Sequence, residues 1–181
     1  HVFAGKSIVF ATGGFGKIYK TTSNAHTLTG DGVGIIYRKG LPLMLEVMKR
    51  LENQPIQLAV AGTPLSNLPS NVVSLGFQTN MKKLYWAADL LVHPAVYEPF
   101  GQVVAEALAC GCPAIVSDKT GAKEIITPEL GLTVPTLDPE LWALTIEKAL
   151  TLPFNIPDDI LVQKGLTLEQ HMERMLAVVG S

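Results

Sequence analysis

Apolar and polar positions along this chain switch between a helical period and short, continuously apolar runs. Leu41, Met44, Leu45, Met48 and Leu51 recur at helical spacing, with Glu46 and Arg50 paired at i,i+4 on the opposite, wet face. The apolar face of that helix must pack on a sheet. Apolar runs at 57–61, 72–75, 89–93 and 114–117 read as strands, and they alternate with helices near 81–88 and 100–109. Such alternation predicts an α/β fold, a doubly wound parallel sheet of Rossmann type covered on both faces. Gly111 is placed to end the helix before it, and Pro113 marks the restart.

Both ends of the chain leave a choice open. Residues 7–11, centred on β-branched Val9, have the character of a buried parallel strand, and residues 33–37 compete for the same place. Beyond Val134, residues 139–151 read as an amphipathic helix with Leu141, Leu144, Ile146 and Leu150 apolar, and 153–157 as a linker. A last helix over 167–178 puts Leu168, Met172, Met175, Leu176 and Val179 on one side. That stripe either closes over its own sheet or pairs with a second copy of the chain.

Composition narrows the class. A chain of 181 residues, 48% hydrophobic and 17% charged, is long enough to bury the core of one domain, taken as 1–181. A formal net charge of −2, with no basic stripe or polybasic helix, argues against nucleic acid or a membrane surface as partner. No apolar run approaches the roughly 20 residues of a spanning helix, and no signal peptide precedes the first strand, so a cytoplasmic protein is expected. With His1 at the first position, the chain is expected to be a processed product or a portion of something longer. Cys110 and Cys112 flank Gly111 without the further ligands that a metal would need, and read as reduced, packed thiols.

The candidate chemistry lies in Glu98-Pro-Phe-Gly-Gln-Val-Val-Ala-Glu106, where two carboxylates bracket a glycine-bearing helix start between two apolar strands. The first turn of a helix offers unpaired N–H groups and the positive end of the dipole, and Gly101 lets an anion such as a diphosphate approach the backbone. With a helix over 100–109, Glu106 would lie about 12 Å along the axis from Glu98 at 1.5 Å per residue, a span suited to one elongated ligand. Glu106 would accept hydrogen bonds from ribose hydroxyls, and Glu98 would face the group beyond the phosphates. The bland alternative is two ordinary surface charges on an amphipathic helix. No Asp-x-Asp pair is present to hold a divalent metal, since Asp158 and Asp159 are adjacent. His93, at a strand end beside Pro94, is either a ligand contact or a histidine satisfied by nearby backbone, and Lys119 and Lys123 either reach phosphate or are solvated.

From Arg38 to Val179 the chain resembles the C-terminal, donor-binding domain of retaining GT-B glycosyltransferases, the group related to glycogen and sucrose synthases. Arg38-Lys39-Gly40 opening a helix, Leu58-Ala-Val-Ala-Gly62, Val73-Ser-Leu-Gly76-Phe77, Leu84-Tyr-Trp-Ala-Ala-Asp89 and the Glu98–Glu106 motif carry the likeness. The resemblance implies a UDP- or ADP-sugar ligand without a metal or other cofactor. It gives Glu106 the ribose, Glu98 the transferred sugar, the backbone of Phe100, Gly101 and Gln102 the diphosphate, and Lys39 the phosphate charge. By resemblance, then, Glu98 and Lys39 are the candidates to act in transfer. An arginine that the family pattern sets five residues before the lysine is replaced by Gly34, which removes one phosphate cation. The family's acceptor-binding domain has no counterpart in these residues, so transfer by the chain alone is not expected.

Residues 1–37 fit a different family. Lys6-Ser-Ile-Val-Phe-Ala-Thr-Gly-Gly-Phe-Gly-Lys-Ile-Tyr-Lys20, Thr22-Ser-Asn-Ala-His26 and Thr29-Gly-Asp-Gly-Val-Gly34 resemble a segment of the flavoprotein subunit of succinate dehydrogenase and fumarate reductase. The chain therefore looks like a chimera, with a glycosyltransferase-like region over 38–181. In the flavoprotein family the turns at Ala11–Gly14 and Thr29–Gly32 and the residue at His26 border the flavin. The Gly-x-Gly-x-x-Gly fingerprint that seats the dinucleotide is absent, so FAD is not expected as a ligand. A phosphate-loop reading of the same stretch fails, because Ala11 stands in place of its first glycine and Ile18 in place of the magnesium-binding hydroxyl. The expected function is a nucleotide-sugar-binding module with little or no turnover. A recombined or engineered chimera without activity is the contrasting reading, and a flavin-binding fragment is the third.

Overall fold

The structure, a computed structural model, describes residues 5–11, 31–62, 64–167 and 169–170, with residues 11 and 31–39 described by backbone alone. Along the chain come β1 (Lys6–Ala11), α1 (Asp31–Arg50), β2 (Ile56–Ala61), β3 (Val72–Gly76), α2 (Met81–Ala87) and β4 (Leu90–His93). They are followed by α3 (Gln102–Ala109), β5 (Ala114–Ser117), a 3-10 turn at Gly121–Ile125, β6 (Gly131–Val134), α4 (Pro139–Ala149) and α5 (Ile160–Gln163). The strands form one sheet in the order β3-β2-β1-β4-β5-β6. All its pairings are parallel. The expected α/β doubly wound sheet is therefore the observed fold.

The strand order reverses between β1 and β4, and a crevice opens at such a switch point beyond the carboxyl ends of the strands. β1 is the central strand, with Val9 opposite Ala59 of β2 on one side and Leu91 of β4 on the other. Ile8, Val9 and Phe10 are fully buried, so the segment expected to be a strand at 7–11 is one, and it carries the flavoprotein-like sequence. The competing strand at 33–37 does not form, since those residues lie within α1. Only one strand can fill the place between β2 and β4, and the β-branched, apolar 6–11 segment occupies it.

Period-2 alternation sends the β1 side chains to two cores. Ile8 and Phe10 join Met44, Val47 and Met48 of α1, Leu51 just after it, and Trp142 and Ile146 of α4 on one face. Val9 joins Tyr85 of α2, Val103, Val104 and Leu108 of α3, and Ile160 of α5 on the other. Each such side chain contributes about 1.5–3 kcal/mol on burial. The helical period read at residues 41–51 is thus the face of α1 that covers the sheet.

Several boundaries differ from expectation. α1 begins at Asp31 rather than at Arg38–Gly40, so Lys39 lies inside the helix and its backbone is no part of a helix start. Asp31 is a residue type favoured at helix starts, and nothing between it and Gly40 forbids helical backbone. α3 begins at Gln102 rather than Phe100, because Gly101 takes a left-handed φ of 80°. Its other end closes as expected, by Gly111 N–H bonding to Leu108 O and Cys112 N–H to Ala107 O, both at 2.9 Å. That pair of bonds is the Schellman motif. β6 and α5 were not foreseen. Of the predicted last helix, its opening is described: Thr167 and Gln170 cap each other reciprocally. The stripe from Leu168 to Val179 that raised self-association lies outside the described residues.

Candidate functional site at the sheet's carboxyl edge

His93 ends β4, and Pro94 turns the chain out of the sheet toward α3. α1 passes this turn closely: a Cβ on Gly40 would lie 3.0 Å from Pro94 O, tighter than an ordinary van der Waals contact. Ser117, the last residue of β5, donates its hydroxyl to Ala95 O at 2.5 Å. Glu98 then forms an isolated parallel bridge with Thr120. Its N–H bonds to Lys119 O at 3.2 Å, and its carbonyl accepts from Gly121 N–H at 2.9 Å. Gly121 is glycine for a steric reason, since a Cβ there would collide with the Pro99 carbonyl. Two loops, those following β4 and β5, are zipped into one rigid rim.

That rim sets the start of α3. Behind Gly101 stand Thr120 Oγ1, Ala122 Cβ and His93 Nε2, at 2.9, 3.4 and 3.4 Å from where a Cβ would be. His93 is 2% exposed, so it backs the helix start from within the protein. As N-cap, Gly101 has no side chain to occupy the first-turn N–H groups, and no acidic residue stands in the first turn. The first turn thus sets no carboxylate of its own against the positive end of the dipole. Because the helix starts at Gln102, only about 6 Å of axial rise separates that start from Glu106. The expected 12 Å helical span from Glu98 does not apply, because Glu98 sits in extended backbone.

Glu106 faces a cleft of about 730 Å³ between α2, α3 and α5, whose lining includes Gln78, Thr79, Lys82, Phe100, Gln102 and Glu106. The Tyr85 hydroxyl donates to Glu106 Oε2 at 3.2 Å. Although Glu106 as a residue is exposed to the cleft, its carboxyl group is crowded by protein. Burial pushes its pKa above the ordinary carboxylate value, and the Tyr85 bond pulls it back down. Burial, reinforced by the neighbouring carboxylate, pushes the Tyr85 phenol far above its own ordinary value, so it remains a donor.

Phe100, Gln102 and Glu106 thus share one cleft, and Gly101 sits buried beneath its rim. Glu98 lies on the neighbouring loop and is not among the lining residues. The Lys39 side chain and the turns at 12–14 and 29–30 with His26 lie outside the described residues. Lys119 pairs with Asp118 at 3.0 Å, and Lys123 donates to Asp118 O at 2.8 Å, so both loop lysines are held by the rim itself. Among the described residues no group of three metal-ligating side chains occurs, and no helix is long and apolar enough to cross a membrane. Sequence reasoning gave no role to Gln78, Thr79, Lys82 or Tyr85. The last two sit three apart on α2, a spacing that puts both on one face.

Comparison with known proteins points to two families. The family model described as glycosyl transferases group 1 matches residues 34–164, and one described as FAD binding domain matches residues 1–64. An uncharacterized glycosyltransferase of Methanocaldococcus jannaschii is 37% identical over 132 residues, covering 65% of this chain and 34% of that protein. The succinate dehydrogenase flavoprotein subunit of Coxiella burnetii is 58% identical over 41 residues, 23% of this chain and 7% of that protein. The solved structure of Anabaena HepE in complex with UDP superposes with a TM-score of 0.69 at 18% identity, over 97% of this chain and 50% of that one. The chain spans a half or less of the length of these proteins. It joins a flavoprotein-like segment to a glycosyltransferase-like one.

Proposed function

From its membership of the group 1 glycosyl transferases, to which this chain belongs, we propose that it is the nucleotide-sugar-binding half of such an enzyme. Its ligand is a UDP- or ADP-sugar. The observation that carries this reading is the cleft where Glu106, Phe100 and Gln102 meet beside the start of α3, whose N-cap is a glycine without a side-chain cap. In it, Glu106 accepts from the ribose hydroxyls and the diphosphate lies against the N–H groups at the start of α3. Lys39 supplies phosphate charge, and Glu98 faces the sugar from the adjoining loop. Departure of a nucleoside diphosphate builds negative charge on the leaving oxygen and positive charge on the sugar. Preorganised N–H groups, a cation and a carboxylate oppose each. HepE, solved with UDP and also with UDP-glucose, supports the ligand class through shared fold. The 181 residues on their own bind without transferring, because orienting an acceptor supplies much of the barrier reduction and this rim contacts only the donor.

A second reading has its own observation: the central strand β1 lies in the segment matched by the FAD-binding model. In that reading the chain is a recombined or engineered chimera, with residues 1–37 lending a strand and loop to the region 38–181 and no activity. Substitution separates the two readings. Glu106→Ala is expected to abolish UDP binding, whereas Glu98→Ala leaves UDP binding unchanged and weakens only the UDP-sugar. Equal effects of both substitutions on free UDP would contradict the assignment of the two ends.

A further inference from the structure

We propose that Tyr85 is a positioning residue for the nucleotide site, fixing the Glu106 carboxylate in the orientation that ribose hydroxyls require. The inference rests on the donor-site reading above. Tyr85 is 1% exposed, and its ring is packed in the core cluster with Val9 and Leu91 of the central strands. Its hydroxyl bonds to Glu106 Oε2 at 3.2 Å. A donor anchored in the core in this way cannot follow a wandering carboxylate, so Glu106 is held at one oxygen while the other stays available to the cleft. Each carboxylate oxygen carries two lone pairs, and the shared one can still accept a second bond.

The same contact bears on the protonation of Glu106, which burial dominates. Ribose hydroxyls donate to a carboxylate, and protonation removes part of that acceptor, so binding declines as pH falls through the Glu106 pKa. Burial holds this pKa up, and the Tyr85 bond opposes burial. Removing the hydroxyl therefore raises the pKa further and moves the acid limb of binding to higher pH. The other titratable groups at the cleft are Lys82 on α2 and Cys110, which caps the end of α3, and the lining from α5 and the turn after it is Leu161 and Leu166. The shift of Glu106 comes from burial and the Tyr85 bond, and the Lys82 ammonium lies over the Trp86 ring, 4.5 Å from its centroid. Lys82 therefore does not mimic the effect.

Tyr85→Phe keeps the ring and deletes the donor. Two readouts are needed, a carbon-13 titration of the Glu106 carboxyl without ligand and UDP affinity measured against pH. The expected result is a carboxyl midpoint raised above that of the parent protein. UDP affinity at neutral pH should fall about 3- to 10-fold, with its acid limb shifted by the same amount. Glu106→Gln, which cannot ionise, should bind weakly and show no such limb whether or not Tyr85 is intact. An unshifted carboxyl midpoint in Tyr85→Phe would overturn the proposal at the contact itself. A shifted midpoint with UDP affinity unchanged or absent would overturn it at the donor-site reading instead.

Discussion

Gly101 and Gly111 bracket α3, and alanine at each separates two costs that a glycine avoids. Both have left-handed backbone, with φ of 80° and 75°. An L-residue there costs roughly 1–2 kcal/mol. A Cβ at Gly111 meets nothing within 4 Å, whereas one at Gly101 would lie 2.9 Å from Thr120 Oγ1 and 3.4 Å from His93 Nε2. Thr120 and His93 are 1% and 2% exposed, so neither can swing into solvent. Overpacking then adds about 1–3 kcal/mol at Gly101 only. In a chain of this length each kcal/mol lowers Tm by about 2–4 °C. Gly111→Ala should therefore melt about 2–8 °C below the parent, and Gly101→Ala roughly 2–12 °C lower still. Thermal scans followed by circular dichroism, paired with a UDP titration, provide the assay. Gly111→Ala should keep UDP binding, and Gly101→Ala should lose it, because relief of the clash displaces the start of α3. Equal Tm losses would refute the packing of Gly101 against Thr120 and His93. Full UDP binding by Gly101→Ala would refute placing the phosphates at that helix start.

Two further outcomes follow from burial. Cys112 is buried and its thiol is pushed up to about 12, while Cys110 is partly exposed and lines the cleft. At pH 8 iodoacetamide should label Cys110 slowly and Cys112 only after denaturation, with UDP slowing the first reaction; equal labelling of both in the native protein would contradict this. Trp142 is fully buried and donates its indole N–H to Thr136 O at 2.9 Å. Trp142→Phe, which empties volume and orphans that carbonyl, should cost about 2–4 kcal/mol in urea unfolding, and a loss below about 0.5 kcal/mol would count against the contact.

What could be read from sequence was what repeats or is apolar. The α1 face from Leu41 to Met48 and the runs that became β2 to β5 carry their own pattern, so the parallel sheet followed from them. β6 escaped because Gly131-Leu-Thr-Val134 is short and opens on a glycine, whose reason is tertiary: a Cβ there would collide with the Ala114 carbonyl. The start of α3 was read at Phe100 instead of Gln102 because the left-handed turn at Gly101 depends on Thr120 and His93, brought up by other strands. The Glu98–Glu106 motif lies beyond the carboxyl ends of β4 and β5. Nothing in the sequence around Tyr85 marks its role, since only packing brings α2 against α3 and its hydroxyl to Glu106.

The central claim is that this cleft takes a nucleotide-sugar, and calorimetric titration of the chain with UDP, ADP and FAD tests it most directly. The account predicts saturable binding of UDP or ADP that disappears in Glu106→Ala, with no heat of binding from FAD. Binding of FAD, or nucleotide binding that survives Glu106→Ala unchanged, would contradict it.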